Sequence, residues 1–393
     1  MSGPVRILHC SSGNLYGGVE TLLTTLARST PATSVRPEFA LCFAGRLSAE
    51  LCASGAVVHD LEPVRLSRPW TVLRARRKLE RLLARGRFEV VVCHGGWPHW
   101  ICGPVVRRNP ETRLVFWLHD LAGGTHWVER LASRTPPDLV LAGSRSAAET
   151  IDRLFPGSPR AVFHPPVPAP ESDRAEARAS VRAELGTDQQ TTVIVLASRL
   201  DPLKGHATLI EALGRLRPRP SWEVWIAGGA QRPQERVYLE ELQRLARAVG
   251  VDSRLRFLGH RTDVSRLLAA ADLFCQPNLR PESFGLAFVE AMDAALPIVT
   301  SRMGAAEEIV DPSCGILVPA GDVSALAEAL ARLIDSPAAR RRLGESGPAR
   351  ARELCDPTTA MARLESLYQG VVHEAGCRRH EPRRWWGFPA EAS

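Results

Sequence analysis

Short runs rich in Val, Ile and Leu alternate along the chain with stretches whose apolar residues return at helical spacing. In the first part the runs predict strands over Val5–Cys10, Phe39–Phe43, Ala56–Leu61, Glu89–Cys93, Arg113–Leu118 and Asp138–Ala142, with helices over Val19–Ala27 and Trp70–Ala84. Strands that are apolar throughout suit a parallel sheet covered on both faces, and the intervening helices supply the covers. At His164 the rhythm breaks into Pro165-Pro-Val-Pro-Ala-Pro170, where missing backbone donors exclude both helix and central strand. A second series then begins: strands over Thr192–Ala197, Glu223–Ala227, Leu255–Leu258, Ala271–Gln276, Pro297–Ser301 and Gly315–Val318, with helices after Lys204 and across Glu235–Ala248.

The pattern predicts an α/β protein of two Rossmann-like, doubly wound domains facing a cleft. The expected division is a domain over 1–165, a linker over 166–190, a second domain over 191–355, a C-terminal helix over 356–376 packing back on the first domain, and a basic tail over 377–393 expected to be mobile. A chain of 393 residues exceeds one ordinary core, which agrees with two. With 45% hydrophobic and 24% charged residues there is apolar material for both.

Charge and cysteine content narrow the surroundings. The 9 cysteines form no C-x-x-C pair, which fits neither a disulfide framework nor a zinc site and suggests reduced thiols. No apolar run approaches the roughly 18 residues of a membrane span, and the first residues lack a signal-peptide core. The expectation is a cytoplasmic protein, with peripheral contact at the inner membrane face as an option. A net charge of +7 favours anions without choosing among nucleotide, membrane and nucleic acid. Lys occurs only at Lys78 and Lys204, Arg serving everywhere else, so each retained Lys marks a position where a compact ammonium is suspected.

Two segments carry the candidate chemistry. Ser198-Arg-Leu-Asp-Pro-Leu-Lys-Gly205 follows an apolar strand and opens a helix, where backbone donors and the helix dipole favour an anion. Arg199 offers a fork of donors and Lys204 a point charge, a pair suited to a departing diphosphate. Two solvated surface cations are the bland alternative. Arg280-Pro-Glu-Ser-Phe-Gly-Leu-Ala-Phe-Val-Glu-Ala-Met292 holds Glu282 and Glu290, eight positions apart. The pairs Glu176/Glu184 and Glu345/Glu353 share that spacing in Arg- and Ala-rich text that reads as solvated helix. Glu282, after a strand and a proline, is expected at a helix N-terminus, with Glu290 about two turns on along the same side. Such carboxylates could hold hydroxyls of a sugar and a ribose while the backbone near Gly285 and Leu286 cradles phosphate.

With Ala227-Gly-Gly229, Gly304 to Glu308 and Gly315-Ile-Leu-Val318, these motifs stand in the order and approximate spacing of family 4 glycosyltransferases, which the chain resembles over nearly its whole length. The resemblance implies the GT-B fold and sugar transfer with retention. It would put Arg199 and Lys204 on the donor diphosphate, Glu290 on the donor ribose, Glu282 on the transferred sugar, and the turn Phe284, Gly285 and Leu286 under sugar and phosphate. Ser283 stands where the family commonly has glycine. In the first half, Ser11-Ser-Gly-Asn-Leu-Tyr-Gly-Gly-Val-Glu20 looks like the family's glycine-rich loop, with Gly17 and Gly18 at the donor and Tyr16 on the acceptor side. His119, ending an apolar strand, matches the family's histidine beside the reacting centre, and His94 is a candidate for the acceptor side. His119, Glu282, Arg199 and Lys204 form the expected catalytic set.

No cofactor and no metal are expected, for the histidines show no H-E-x-x-H and the central segments no Asp-x-Asp. The expected partners are a UDP- or GDP-linked hexose and a glycan, lipid-linked or small-molecule acceptor. A further candidate is an anionic membrane met by the region Arg65–Arg87, where Arg74, Arg76, Arg77, Lys78, Arg81 and Arg85 alternate with Trp70 and leucines. A sheet-packing helix with a solvated basic face explains the same text. Two rivals remain: a nucleotide-sugar epimerase of the same fold, and a non-catalytic basic protein binding membrane or, without sequence preference, nucleic acid.

Overall fold

The structure is a computed structural model that describes residues 5–13, 17–29, 35–65, 67–168 and 173–377. Tyr16 and residues 378–393 of the expected tail lie outside the described residues. Two compact units are present, one made of residues 1–168 and 355–393 and the other of 169–354.

The first unit runs β1 (Arg6–Ser11), α1 (Gly18–Ser29), β2 (Arg36–Leu41), α2 (Arg46–Ala53), β3 (Val58–Asp60), α3 (Pro69–Gly86), β4 (Val90–His94), α4 (Gly96–Val106), β5 (Arg113–Leu118), α5 (Trp127–Ala132), β6 (Leu139–Ala142), α6 (Arg145–Glu149) and β7 (Arg160–Val162). The second runs α7 (Arg174–Leu185), β8 (Thr192–Ala197), α8 (His206–Leu216), β9 (Trp222–Ala227), α9 (Pro233–Ala248), β10 (Leu255–Gly259), α10 (Val264–Ala270), β11 (Leu273–Gln276), α11 (Leu286–Asp293), β12 (Ile298–Ser301), α12 (Ala306–Ile309), β13 (Gly315–Val318), α13 (Val323–Asp335) and α14 (Pro337–Cys355). A last helix, α15 (Pro357–Cys377), returns to the first unit.

Both sheets are parallel throughout. The first has the order β3-β2-β1-β4-β5-β6-β7 and the second β10-β9-β8-β11-β12-β13. In each, the order reverses beside the first strand of the unit, between β1 and β4 and between β8 and β11. Loops leaving the carboxyl ends of those strands diverge there, which leaves a crevice for ligand. The central strands are enclosed as their composition predicts: every residue of Val90–His94 is buried.

Two elements depart from the sequence reading. The expected linker over 166–190 contains α7, which belongs to the second unit. Its start is capped by Asp173, whose side chain accepts from the backbone N–H of Ala175 at 2.7 Å and Glu176 at 3.0 Å, and Gly186 ends it in the left-handed region at φ 62°. The helical text itself is read correctly from Glu176/Glu184, but as a solvated helix, because nothing in the sequence says that Arg182 points inward. Its guanidinium is fully enclosed, 2.6 Å from Asp272 and donating to the carbonyls of Ala270, Asp188 and Thr191. The second departure is β7, an edge strand of 3 residues too short to stand out as a pattern.

α15 supplies Ala360, Met361, Leu364, Tyr368 and Val371 to the core beneath β1, β4, β5 and β6, beside Ile7, Val92, Trp117 and Phe163. Arg363 adds a 2.9 Å bond to the carbonyl of Val162.

Candidate functional site

The switch point of the second sheet gathers most of the sequence-predicted residues. β8 ends at Ala197, and the segment that follows turns through a short 3-10 helix, Pro202–Lys204, before α8. Asp201 caps that turn by accepting from the N–H of Leu203 at 2.9 Å. Gly205 then takes φ 77°, and an added Cβ would run into the carbonyl oxygen of Pro277. The loop after β11 is thus held flush against the loop after β8, and the N–H of Leu279 donates to the carbonyl of Leu203 at 2.8 Å across the seam. Gly304 serves similarly on the other side: at φ 56°, its added Cβ would stand 2.7 Å from Pro281.

This close fit brings Lys204 and Glu282 together. Nζ of Lys204 lies 2.5 Å from Oε1 of Glu282, and the same oxygen accepts from Nε2 of Gln276 at 2.7 Å and Nδ2 of Asn278 at 2.9 Å. The two amides are buried, whereas Lys204 and Glu282 keep 23% and 18% of their side-chain surface, so a ligand can reach the charged pair. Gln276 and Asn278 ended up without a role in the sequence reading. Their signal was visible as polar residues at and just beyond the end of an apolar strand.

Glu282 does not begin the helix. α11 starts at Leu286, because Gly285 adopts φ 99°, so Glu282 sits in the preceding loop and the one-face relation with Glu290 drawn from helical spacing does not apply. Glu290 itself lies in α11, half-buried. Its carboxylate has no hydrogen bond or ion pair among the described residues, and burial pushes it up to about 7. Phe284 is buried, and Leu286 is the first helical residue, where the N–H groups of a helix are unpaired within it. Arg199 is exposed, its guanidinium making no hydrogen bond or ion pair among the described residues.

In the first unit Gly18 opens α1, and the carbonyl of Gly17 accepts from the N–H of Thr21 at 3.0 Å. His119 follows β5, with its Nε2 2.8 Å from Nδ1 of His94. The acceptor-side expectation for His94 is corrected: the ring is buried and its other nitrogen lies 2.9 Å from Nδ1 of His9, so neither nitrogen is left for a substrate. Among the described residues no group of three or more His, Cys, Asp or Glu is placed to hold a metal ion.

Two parallel Rossmann-like sheets place the fold among the GT-B glycosyltransferases. A glycosyltransferase from Rickettsia africae superimposes with a TM-score of 0.82 over 94% of this chain and 99% of that one, at 16% identity. Anabaena HepE in complex with UDP and glucose does so at 0.80 over 93% and 99%, with 23% identity. The family model for Glycosyltransferase Family 4 matches residues 16–169, and that for Glycosyl transferases group 1 matches residues 177–350. A GDP-mannose-dependent alpha-(1-6)-phosphatidylinositol monomannoside mannosyltransferase of Mycolicibacterium smegmatis is 31% identical over 75% of this chain and 79% of its own length. The chain therefore belongs to the family 4 glycosyltransferases. A D-inositol 3-phosphate glycosyltransferase of Corynebacterium efficiens is 33% identical over 60% of this chain. The chain spans about half the length of that relative and of several others, with 54%, 49% and 46% covered.

Proposed function

We propose that the protein transfers a hexose, with retention, from a UDP- or GDP-linked donor to a glycan, lipid-linked or small-molecule acceptor, without a metal. The observation that carries this reading is the set of side chains at the switch point of the second sheet. Arg199 and Lys204 meet the diphosphate, which gains negative charge as the sugar leaves, and the N-terminus of α11 adds unpaired backbone donors. Glu282, held by Gln276 and Asn278 as well as Lys204, receives hydroxyls of the transferred sugar. Glu290, unpartnered and half-buried, takes the ribose hydroxyls. Positioning and charge stabilisation carry the reaction in this reading, and the leaving diphosphate accepts the proton of the incoming hydroxyl. Gly17, Gly18 and His119 meet the donor from the first unit.

The acceptor side rests on α3. Trp70 and Leu73 are 56% and 52% exposed, and at helical spacing they share a face with Arg77, Arg81 and Arg85, all exposed. Apolar and cationic groups on one face suit an anionic bilayer, which favours a lipid-linked acceptor. Not all the basic residues of this region serve that face: Arg76 turns back to the carbonyls of Trp100 and Ile101, and Lys78 pairs with Glu62.

Calorimetric titration with UDP, GDP and ADP in EDTA tests the reading. The expected result is selective binding of UDP or GDP that is weakened at least about ten-fold in Lys204→Ala and in Glu290→Ala. Binding that requires added metal, or is unchanged by both substitutions, would overturn the donor assignment. An isomerised nucleotide sugar, formed without acceptor, would point to the epimerase instead.

A further inference from the structure

Oε1 of Glu282 is a crowded atom. Nζ of Lys204 stands 2.5 Å from it, Nε2 of Gln276 2.7 Å and Nδ2 of Asn278 2.9 Å. A carboxylate offers about two lone pairs on each oxygen, so three donors leave Oε1 nothing for a ligand. Oε2 is placed differently. It accepts from none of the described residues, and it lies toward Gly285, whose added Cβ would stand 3.5 Å from it. A hydroxyl that reaches Glu282 therefore meets Oε2.

The three donors on Oε1 are not equivalent. Lys204 keeps 23% of its side-chain surface and carries a charge that a diphosphate also attracts, while Gln276 and Asn278 are neutral and only 1% and 2% exposed. The orientation of both amides follows from their acceptor, for a carboxylate paired with an ammonium has no proton to give. Each must turn its nitrogen to Oε1, and the second N–H of Gln276 then meets Oδ1 of Asn278 at 3.1 Å. The backbone fixes the pair from behind: Gln276 ends β11, and its carbonyl accepts from Oγ1 of Thr300 at 2.8 Å and from the N–H of Asn278 at 3.0 Å. This placement works against stability, because Oε1 of Gln276 is buried with no hydrogen-bond partner among the described residues. A methionine of similar size would avoid that loss. Packing does not account for an amide here, whereas its two donated bonds do.

A diphosphate that draws Lys204 away removes one donor from Oε1 and leaves the two amides. We propose that Gln276 and Asn278 are positioning residues that hold Glu282 with Oε2 toward the transferred sugar while Lys204 passes from the carboxylate to the donor diphosphate. The roles of sugar and diphosphate rest on the reading of this site as a donor site; the hold of the amides on Glu282 does not.

The chain has two lysines, Lys78 and Lys204, so protein labelled at lysine gives two side-chain NMR signals, and Lys78→Arg assigns them. Labelled side-chain amides are assigned by Gln276→Met and Asn278→Leu, and Glu282→Gln supplies the position of both amide signals without the carboxylate. Inorganic pyrophosphate is expected to move the Lys204 signal, leave Lys78 in place and keep both amides away from their Glu282→Gln positions. Amides that move to those positions, or a Lys204 signal that pyrophosphate does not move, would overturn the proposal. A second readout separates positioning from folding: Gln276→Met and Asn278→Leu should each bind UDP or GDP within about two-fold of the unsubstituted protein while kcat falls about ten-fold or more. An unchanged kcat, or a loss of nucleotide affinity as large as the loss of kcat, would also overturn it. If the signals respond as expected while every form lacks transferase activity, the hold on Glu282 stands and the functional reading is what fails.

Discussion

Nζ of Lys204 and Oε1 of Glu282 stand 2.5 Å apart, an ion pair that ties the turn after β8 to the loop after β11. The pair is reachable from solvent, and Lys204 is one of only two lysines in a chain that otherwise uses Arg. Lys204→Ala removes a charge-assisted bond of the kind worth about 1.5–3 kcal/mol. Nucleotide affinity should drop by roughly 10- to 150-fold on that basis, read by calorimetry. Lys204→Arg should recover only part of it, because a planar fork does not reproduce a point charge.

Glu290 titrates above the ordinary carboxylate range. Burial raises its carboxyl to about 7 in the folded chain, above the ordinary 4.5. Between those values the folded state holds the proton more tightly than the unfolded state, so the stability it contributes is greatest below about 4.5 and declines as pH rises to about 7. Above 7 the loss is complete. Glu290→Gln should therefore stabilise the protein at pH 8 by about 1 kcal/mol relative to pH 4.5, after discounting for its partial exposure. Nucleotide binding in the unsubstituted protein should strengthen through the same interval if the carboxylate accepts ribose hydroxyls. Denaturant melts at the two pH values check the first expectation, and titrations across the interval check the second.

Gly205 combines a left-handed φ of 77° with a close approach to the Pro277 carbonyl. Gly205→Ala should lower stability by about 1–3 kcal/mol, read as a fall in the thermal midpoint. Because the seam carries Leu203 and Leu279 as well, the same variant should weaken nucleotide binding even though residue 205 has no side chain to offer a ligand.

Arg182 tests the membership of α7 in the second unit. It is enclosed with Asp272 and with carbonyls of the segment leading into β8. Arg182→Ala leaves Asp272 without its main partner and should cost about 3–5 kcal/mol, measured by equilibrium unfolding. Arg178, 3.0 Å from the same carboxylate but 30% exposed, should cost far less when truncated.

The strands were legible because each is a short apolar run closed by a polar residue, a glycine or a proline. Arg113–Leu118, Thr192–Ala197 and Gly315–Val318 stand where the pattern places them. Helix α7 was legible as a helix but not as part of the second unit, since buried arginine and solvated arginine look alike until a partner such as Asp272 is known. At the site, Arg199, Lys204, Glu282 and Glu290 could be selected from their segments. Their relations could not, because the Lys204–Glu282 contact joins residues 78 positions apart through two glycine turns. His9 escaped notice for the same reason: nothing in the strand Val5–Cys10 says which way its ring points or that two more histidines follow on neighbouring strands.

The core beneath β1 and β4 is completed by Met361, Leu364 and Tyr368 of α15, separated from its first strand by the whole of the second unit. During synthesis the second unit can close as soon as α14 has left the ribosome, while the first must wait, with part of its apolar floor uncovered, until α15 arrives. The order in which the two cores are completed is thus the reverse of the order in which they begin to be translated.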